Sequence, residues 1–104
     1  MSGTSLDGVD AALTAFSTTP GHGLKTEVLS TFSLPFSADL RQELLALNEP
    51  GANEIERSAL AGNKLARLYA DAVKGAISGA GIDATQILAI GCHGQTIRHR
   101  PELG

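Results

Sequence analysis

The sequence predicts an α/β fold, ordered as hairpin, two helices and strand, and three observations predict it. Two β-patterned segments flank a Pro-Gly turn, which signals an antiparallel hairpin. A long central stretch carries apolar residues at i, i+3, i+4 and i+7, the stripe of an amphipathic helix. A short, wholly apolar run, residues 87–90, follows that helix and ends in a Gly-rich segment, as a buried parallel strand does.

Each element has its own warrant. Residues 1–8, Met1-Ser2-Gly3-Thr4-Ser5-Leu6-Asp7-Gly8, are turn-rich. Residues 9–16 alternate as a strand, with Val9, Ala11, Leu13 and Ala15 on one face. Thr18-Thr19-Pro20-Gly21-His22-Gly23 makes the turn. Residues 25–34 return as the second strand, with Val28, Phe32 and Leu34 on one face. Ser37 is placed to cap a short helix through Leu47, with Asp39 in its first turn and Leu40, Leu44 and Leu47 as its buried stripe. Asn53 is expected to cap the long helix, with Glu56 completing a capping box. Its stripe is Leu65, Leu68, Tyr69, Ala72, Val73, Ala76 and Ile77, and Gly79-Ala80-Gly81 ends it.

Composition excludes several classes. With 104 residues the chain makes one domain at most. Only 8 Lys and Arg residues, scattered, and a net charge of −3 leave no track for a nucleic-acid backbone. No apolar run reaches the length of a membrane span, and no signal peptide is visible at the N-terminus. The 1 cysteine, Cys92, permits no internal disulfide. These features point to the cytoplasm.

Two segments carry candidate chemistry. The first is Ser2-Gly3-Thr4-Ser5-Leu6-Asp7-Gly8-Val9-Asp10. Small residues at a hairpin tip let backbone N–H groups approach an anion, and Thr4 and Ser5 add hydroxyl donors. Asp7 or Asp10 is placed to orient a hydrated Mg²⁺ through water. No Walker A lysine follows, and Ser5 is not in a nucleophile elbow. On residue type alone the plainer reading is a β-turn rich in Gly, Ser and Asp.

The second segment is Gly91-Cys92-His93-Gly94-Gln95-Thr96, at the end of the expected parallel strand, where α/β sheets gather ligands. His93, Gln95 and Thr96 are suited to bind sugar hydroxyls. Cys92 reads as a small buried hydrophobe. His93 reads either as a ligand residue or as a loop histidine bonded to backbone. His22, His93 and His99 lack metal-ligand spacing. Arg98 and Arg100 suit an anionic group such as a carboxylate, and as readily form a solvated basic stretch.

Taken together, residues 1–10 and the run Gly-Cys-His-Gly-Gln-Thr-Ile-Arg-His-Arg-Pro at 91–101 resemble the anhydro-N-acetylmuramic acid kinase family, and the resemblance covers the whole chain. It implies a partial actin-like ATPase (ribonuclease H-like) domain, with residues 1–104 forming the N-terminal part of its first lobe. It implies a carbohydrate kinase that uses ATP and Mg²⁺ to open and phosphorylate 1,6-anhydro-N-acetylmuramic acid, giving N-acetylmuramic acid 6-phosphate in cell-wall recycling. Gly3, Thr4 and Ser5 match the phosphate-contacting turn, within an ATP-binding stretch of residues 3–10. Thr96, with Gln95 and His93 near it, matches part of the sugar site. The family also implies a homodimer for the full-length protein.

Two departures qualify the match. The wider superfamily often has an Asp two residues before the Gly-Thr pair, where this chain has Met1. The family's catalytic aspartate belongs to an Asp-x-Gly-Pro-type segment that these residues do not include, so no catalytic residue is expected within residues 1–104. Both termini read as cut rather than finished, and the 104 residues alone are expected to lack kinase activity and to self-associate. The alternative readings are a phosphate- or sugar-binding module without catalysis, and a structural domain in which both Gly-rich segments are only turns. A hydrolase using Ser5 or Cys92 is disfavoured, because no base partner is placed for either.

Overall fold

The computed structural model describes residues 6–103. β1 (Gly8–Thr19) and β2 (Gly23–Pro35) form an antiparallel hairpin. They are followed by α1 (Ala38–Ala46), α2 (Glu54–Ala80) and two short 3₁₀ turns, Ala84–Gln86 and Pro101–Leu103. The whole measures 54 × 33 × 20 Å.

The hairpin forms because its connection suits a tight reversal. Thr19 pairs with Gly23, and Gly21 and Gly23 take φ of 81° and 70°, which glycine adopts without Cβ strain. The Thr19 carbonyl accepts the His22 N–H at 2.9 Å. On β1, Val9, Ala11 and Leu13 lie on the covered face, as the alternation predicts, but from Ala15 to the turn the strand is exposed. Leu13 pairs with Ser30 and Thr14 with Val28, so the register slips at Leu29. That bulge reverses the alternation. It takes Val28 off the face of Phe32 and Leu34, contrary to the sequence reading, and Val28 is exposed.

α2 lies on the covered face. Its stripe turns small where it meets the strands: Ala72 and Ala76 are buried, and Gly75 leaves room for the Phe32 ring. The Ser30 hydroxyl donates to the Ala76 carbonyl. Small side chains let helix and hairpin approach closely, so dispersion contacts replace side-chain bulk.

A second core sits at the other end of α2. Leu6, Leu40, Leu44, Leu47, Ala61 and Leu65 pack together, with Phe36, Leu68 and Ile97 against them. Full burial of a leucine contributes about 1.5–3 kcal/mol, and Leu44 and Leu47 are almost wholly enclosed. Ser37 caps α1 as expected, its Oγ accepting the Leu40 N–H at 3.1 Å.

The start of α2 differs from the sequence reading. Asn53 takes φ 55° in the left-handed region and makes no side-chain cap, so the capping box with Glu56 is not formed. Asparagine tolerates that backbone better than most residues, and Asn53 uses the tolerance to turn the chain. The C-terminus behaves as predicted, with Gly81 left-handed at φ 68°.

Residues 87–90 are not a strand. The sheet among the described residues has two strands, β1 and β2. A parallel strand exists only as a rung of a ladder, and no ladder bonds reach this run. It follows the Ala84–Gln86 turn, which Asp83 caps, and leaves Leu88 and Ile90 exposed.

Candidate functional site

The two motif segments, from opposite ends of the chain, come together at Leu6 and Ile97. Leu6 is 6% exposed and belongs to the core beneath them, and Ile97 packs against the same cluster. Leu6 also has φ 55°, a left-handed backbone that costs a non-glycine residue about 1 kcal/mol or more. Burial of its side chain offsets that cost and fixes the direction in which the chain enters β1. Within the phosphate-binding stretch expected from the sequence, Leu6 and Val9 give their side chains to the interior. Only their backbone is available to a ligand there.

Beyond Leu6 the geometry is tight. The Asp7 carbonyl accepts the Phe36 N–H at 3.0 Å, which closes the base of the hairpin. Gly8 faces β2 so closely that a Cβ would overlap the Leu34 carbonyl oxygen and lie 2.9 Å from Pro35 Cα. Asp7 is exposed. Asp10 is exposed on the outer face, where its Oδ1 accepts the Ser33 hydroxyl at 2.6 Å. The two carboxylates considered for the hydrated metal therefore differ, one facing solvent and one engaged across the hairpin. Among the described residues no group of three or more His, Cys, Asp and Glu could hold a metal ion directly. Gly3, Thr4 and Ser5, the predicted phosphate-contacting residues, lie outside the described residues.

A groove of about 630 Å³ opens beside this junction. Leu6, residues 48–50, residues 96–100 and Glu102 form its walls. Thr96 is therefore at the groove, whereas His93 and Gln95 are outside its walls. His93 is exposed, and the Gln95 side-chain amide donates to the Thr96 carbonyl at 3.1 Å. Cys92 is exposed, contrary to its reading as a buried hydrophobe. With no strand at 87–90 to bury it, Cys92 stays open to solvent, and its sulfur accepts the Gly94 N–H at 3.4 Å.

The sequence marked Arg98 as suited to a carboxylate or to a solvated stretch without naming a partner; its Nη2 donates to Glu54 Oε2 at 2.9 Å and to the Leu47 carbonyl at 3.3 Å. The Arg98 hydrogen bond holds the Glu54 carboxyl below its ordinary range, aided by the Gly51 N–H. The same bond raises Arg98 further above its own. Arg100, by contrast, pairs with Glu102 at 3.0 Å in an exposed setting, which stabilises little. Nothing in the sequence signals the Arg98–Glu54 pair except opposite charge, which many residues share.

A second groove, of about 710 Å³, runs along β1 between α2 and residues 87–92. Its walls are mostly apolar, with Tyr69, Val73 and Ile77 from the helix and Ile87 and Ile90 from the irregular run. No helix of the described residues is long and apolar enough to cross a membrane.

A sequence model of the family described as anhydro-N-acetylmuramic acid kinase matches residues 1–104. The chain is 55% identical over 104 residues to a Bordetella pertussis protein named anhydro-N-acetylmuramic acid kinase. It is 54% identical to a protein of the same name from Bordetella petrii, and 52% identical to one from Thiobacillus denitrificans. Each match covers 100% of this chain and 26% of the relative. The chain thus spans about a quarter of the length of these curated relatives.

Proposed function

The chain belongs to the anhydro-N-acetylmuramic acid kinase family, and from that premise we propose that the full-length protein is an ATP-dependent kinase of 1,6-anhydro-N-acetylmuramic acid. The reaction opens the 1,6-anhydro bond with water at the anomeric carbon while the 6-oxygen takes the phosphoryl group, giving N-acetylmuramic acid 6-phosphate. Residues 1–104 are read as the N-terminal part of the first lobe of an actin-like ATPase domain. The general base that water attack requires is assigned to a part of the protein beyond these residues.

The observation that carries this reading is the meeting of the two motif segments on one groove, with Leu6 on one wall and Thr96 on another. Phosphoryl transfer is mostly positioning and charge stabilisation, so a phosphate-binding turn must lie next to its acceptor site. ATP with Mg²⁺ would supply the phosphoryl group and neutralise its charge. Asp7 supports the metal part of that pair, as an exposed carboxylate two residues on from Ser5, of the kind that holds a hydrated Mg²⁺ through water. In this reading Gly3, Thr4 and Ser5 bind phosphate through backbone and hydroxyl donors, and Asp7 or Asp10 orients the hydrated metal. Thr96, with Gln95 and His93 beside it, orients the sugar. The location is the cytoplasm, where ATP is available, and the assembly is the family's homodimer.

The test is ADP release by the full-length enzyme with the anhydro sugar. Wild type turns over. Thr96→Ala raises the sugar KM about tenfold, the scale of one lost hydrogen bond to substrate, and Thr4→Ala raises the ATP KM on the same scale. A wild-type enzyme that phosphorylates open-chain amino sugars but leaves the anhydro sugar untouched overturns the reading.

A further inference from the structure

Residues 95–100 have no regular secondary structure, yet their middle is fixed at adjacent positions. Ile97 packs against the core. Arg98 reaches two acceptors on two elements, the Leu47 carbonyl at the C-cap of α1 and the Glu54 carboxylate in the first turn of α2. The same Glu54 oxygen accepts the Gly51 N–H at 3.3 Å, so the acceptor is itself braced by the turn between the helices. A helix C-terminus and a carboxylate both present negative charge. A guanidinium meets both with one planar set of donors, where a lysine would offer a point charge on a flexible stem.

Strength is not what this arrangement provides. The side chains of Arg98 and Glu54 are 31% and 37% exposed, and ion pairs so exposed contribute little to stability. Its effect is geometric, because Ile97 and Arg98 anchor the middle of the stretch, residues 96–100, that walls the groove. Thr96 precedes the anchor; His99 and Arg100 follow it.

We propose that Arg98 is a positioning residue: tied to Leu47 and Glu54, it holds Thr96 at the groove that Leu6 borders and thereby sets the affinity for the anhydro sugar. This rests on the reading of that groove as the sugar site.

The experiment compares wild type, Arg98→Met, Arg98→Lys and Glu54→Gln in the full-length enzyme, by amide hydrogen exchange and steady-state kinetics. In Arg98→Met the amides of residues 95–100 exchange at least about tenfold faster. The sugar KM rises about tenfold, while the ATP KM stays within about twofold, since a small misplacement of a binding group is enough for such a loss. Arg98→Lys recovers part of the sugar affinity. Glu54→Gln gives the same split more weakly, because the Leu47 bond survives, and it serves as the decisive variant if Arg98→Met does not fold. Unchanged exchange at residues 95–100 overturns the proposal, and so does a parallel rise in both KM values. An active wild type with an unchanged sugar KM in the variants removes the role of Arg98 and leaves the sugar site standing. A wild type without action on the anhydro sugar removes the sugar site and the role of Arg98 with it.

Discussion

The Phe32 ring occupies the space above Gly75, where a Cβ would overlap its ring atoms. This contact joins β2 to the middle of α2 and sets how closely the hairpin approaches the helix. Glycine in a helix interior costs about 1 kcal/mol relative to alanine, so the position trades local stability for packing. Gly75→Ala gains that amount in helix propensity but overpacks the interface, which costs about 1–3 kcal/mol. A net loss of about 1 kcal/mol is expected in urea unfolding. In a Phe32→Ala background the sign reverses, and Gly75→Ala stabilises by about 1 kcal/mol. Additive effects of the two changes would refute the contact as the reason for the glycine.

Gly8 presents a harder case, because its obstacle is backbone. A Cβ would meet the Leu34 carbonyl oxygen and Pro35 Cα, neither of which can rotate away. Gly8→Ala is expected to cost about 2 kcal/mol or more, measured as a lowered urea midpoint. A midpoint equal to wild type would mean that the strands can spread at the hairpin base.

Ser37 holds α1 through one side-chain bond to the Leu40 N–H. Ser37→Ala is expected to cost about 1 kcal/mol, and Ser37→Asp to retain most of the stability. Thermal unfolding of both variants checks the pair, and equal losses would assign the effect to something other than capping.

Acid should weaken the Arg98 tether. Glu54 has its folded pKa lowered from 4.5, first by the Arg98 hydrogen bond. A group whose pKa falls on folding stabilises the fold fully above its unfolded value. The contribution of Glu54 is therefore whole above pH 4.5 and is lost as pH drops through the lower folded value. Carbon NMR titration of the Glu54 carboxyl should place its midpoint below 4.5 in wild type and return it toward 4.5 in Arg98→Met. The same midpoint in both proteins would contradict the hydrogen bond as the cause.

The sequence by itself determined the elements whose signals are local. The alternation of β1, the Pro-Gly turn, Ser37 with the leucines of α1, and the long stripe of α2 each act within a few residues of chain, so their pattern can be read directly. It also marked the two motif segments and the family they belong to. Tertiary structure decided whatever depends on a distant partner. The bulge at Leu29 flips Val28 because β2 must match β1, and Asn53 turns left-handed rather than capping because the chain must bring α2 across the hairpin and α1. Residues 87–90 have the composition of a buried strand, but a strand is defined by its neighbour, and no neighbour pairs with them among the described residues. Thr96 stands at a groove with Leu6 only because Ile97 enters the core and Arg98 finds Leu47 and Glu54. Those contacts join residues about fifty positions apart, and opposite charge or apolar character alone cannot select one partner from many.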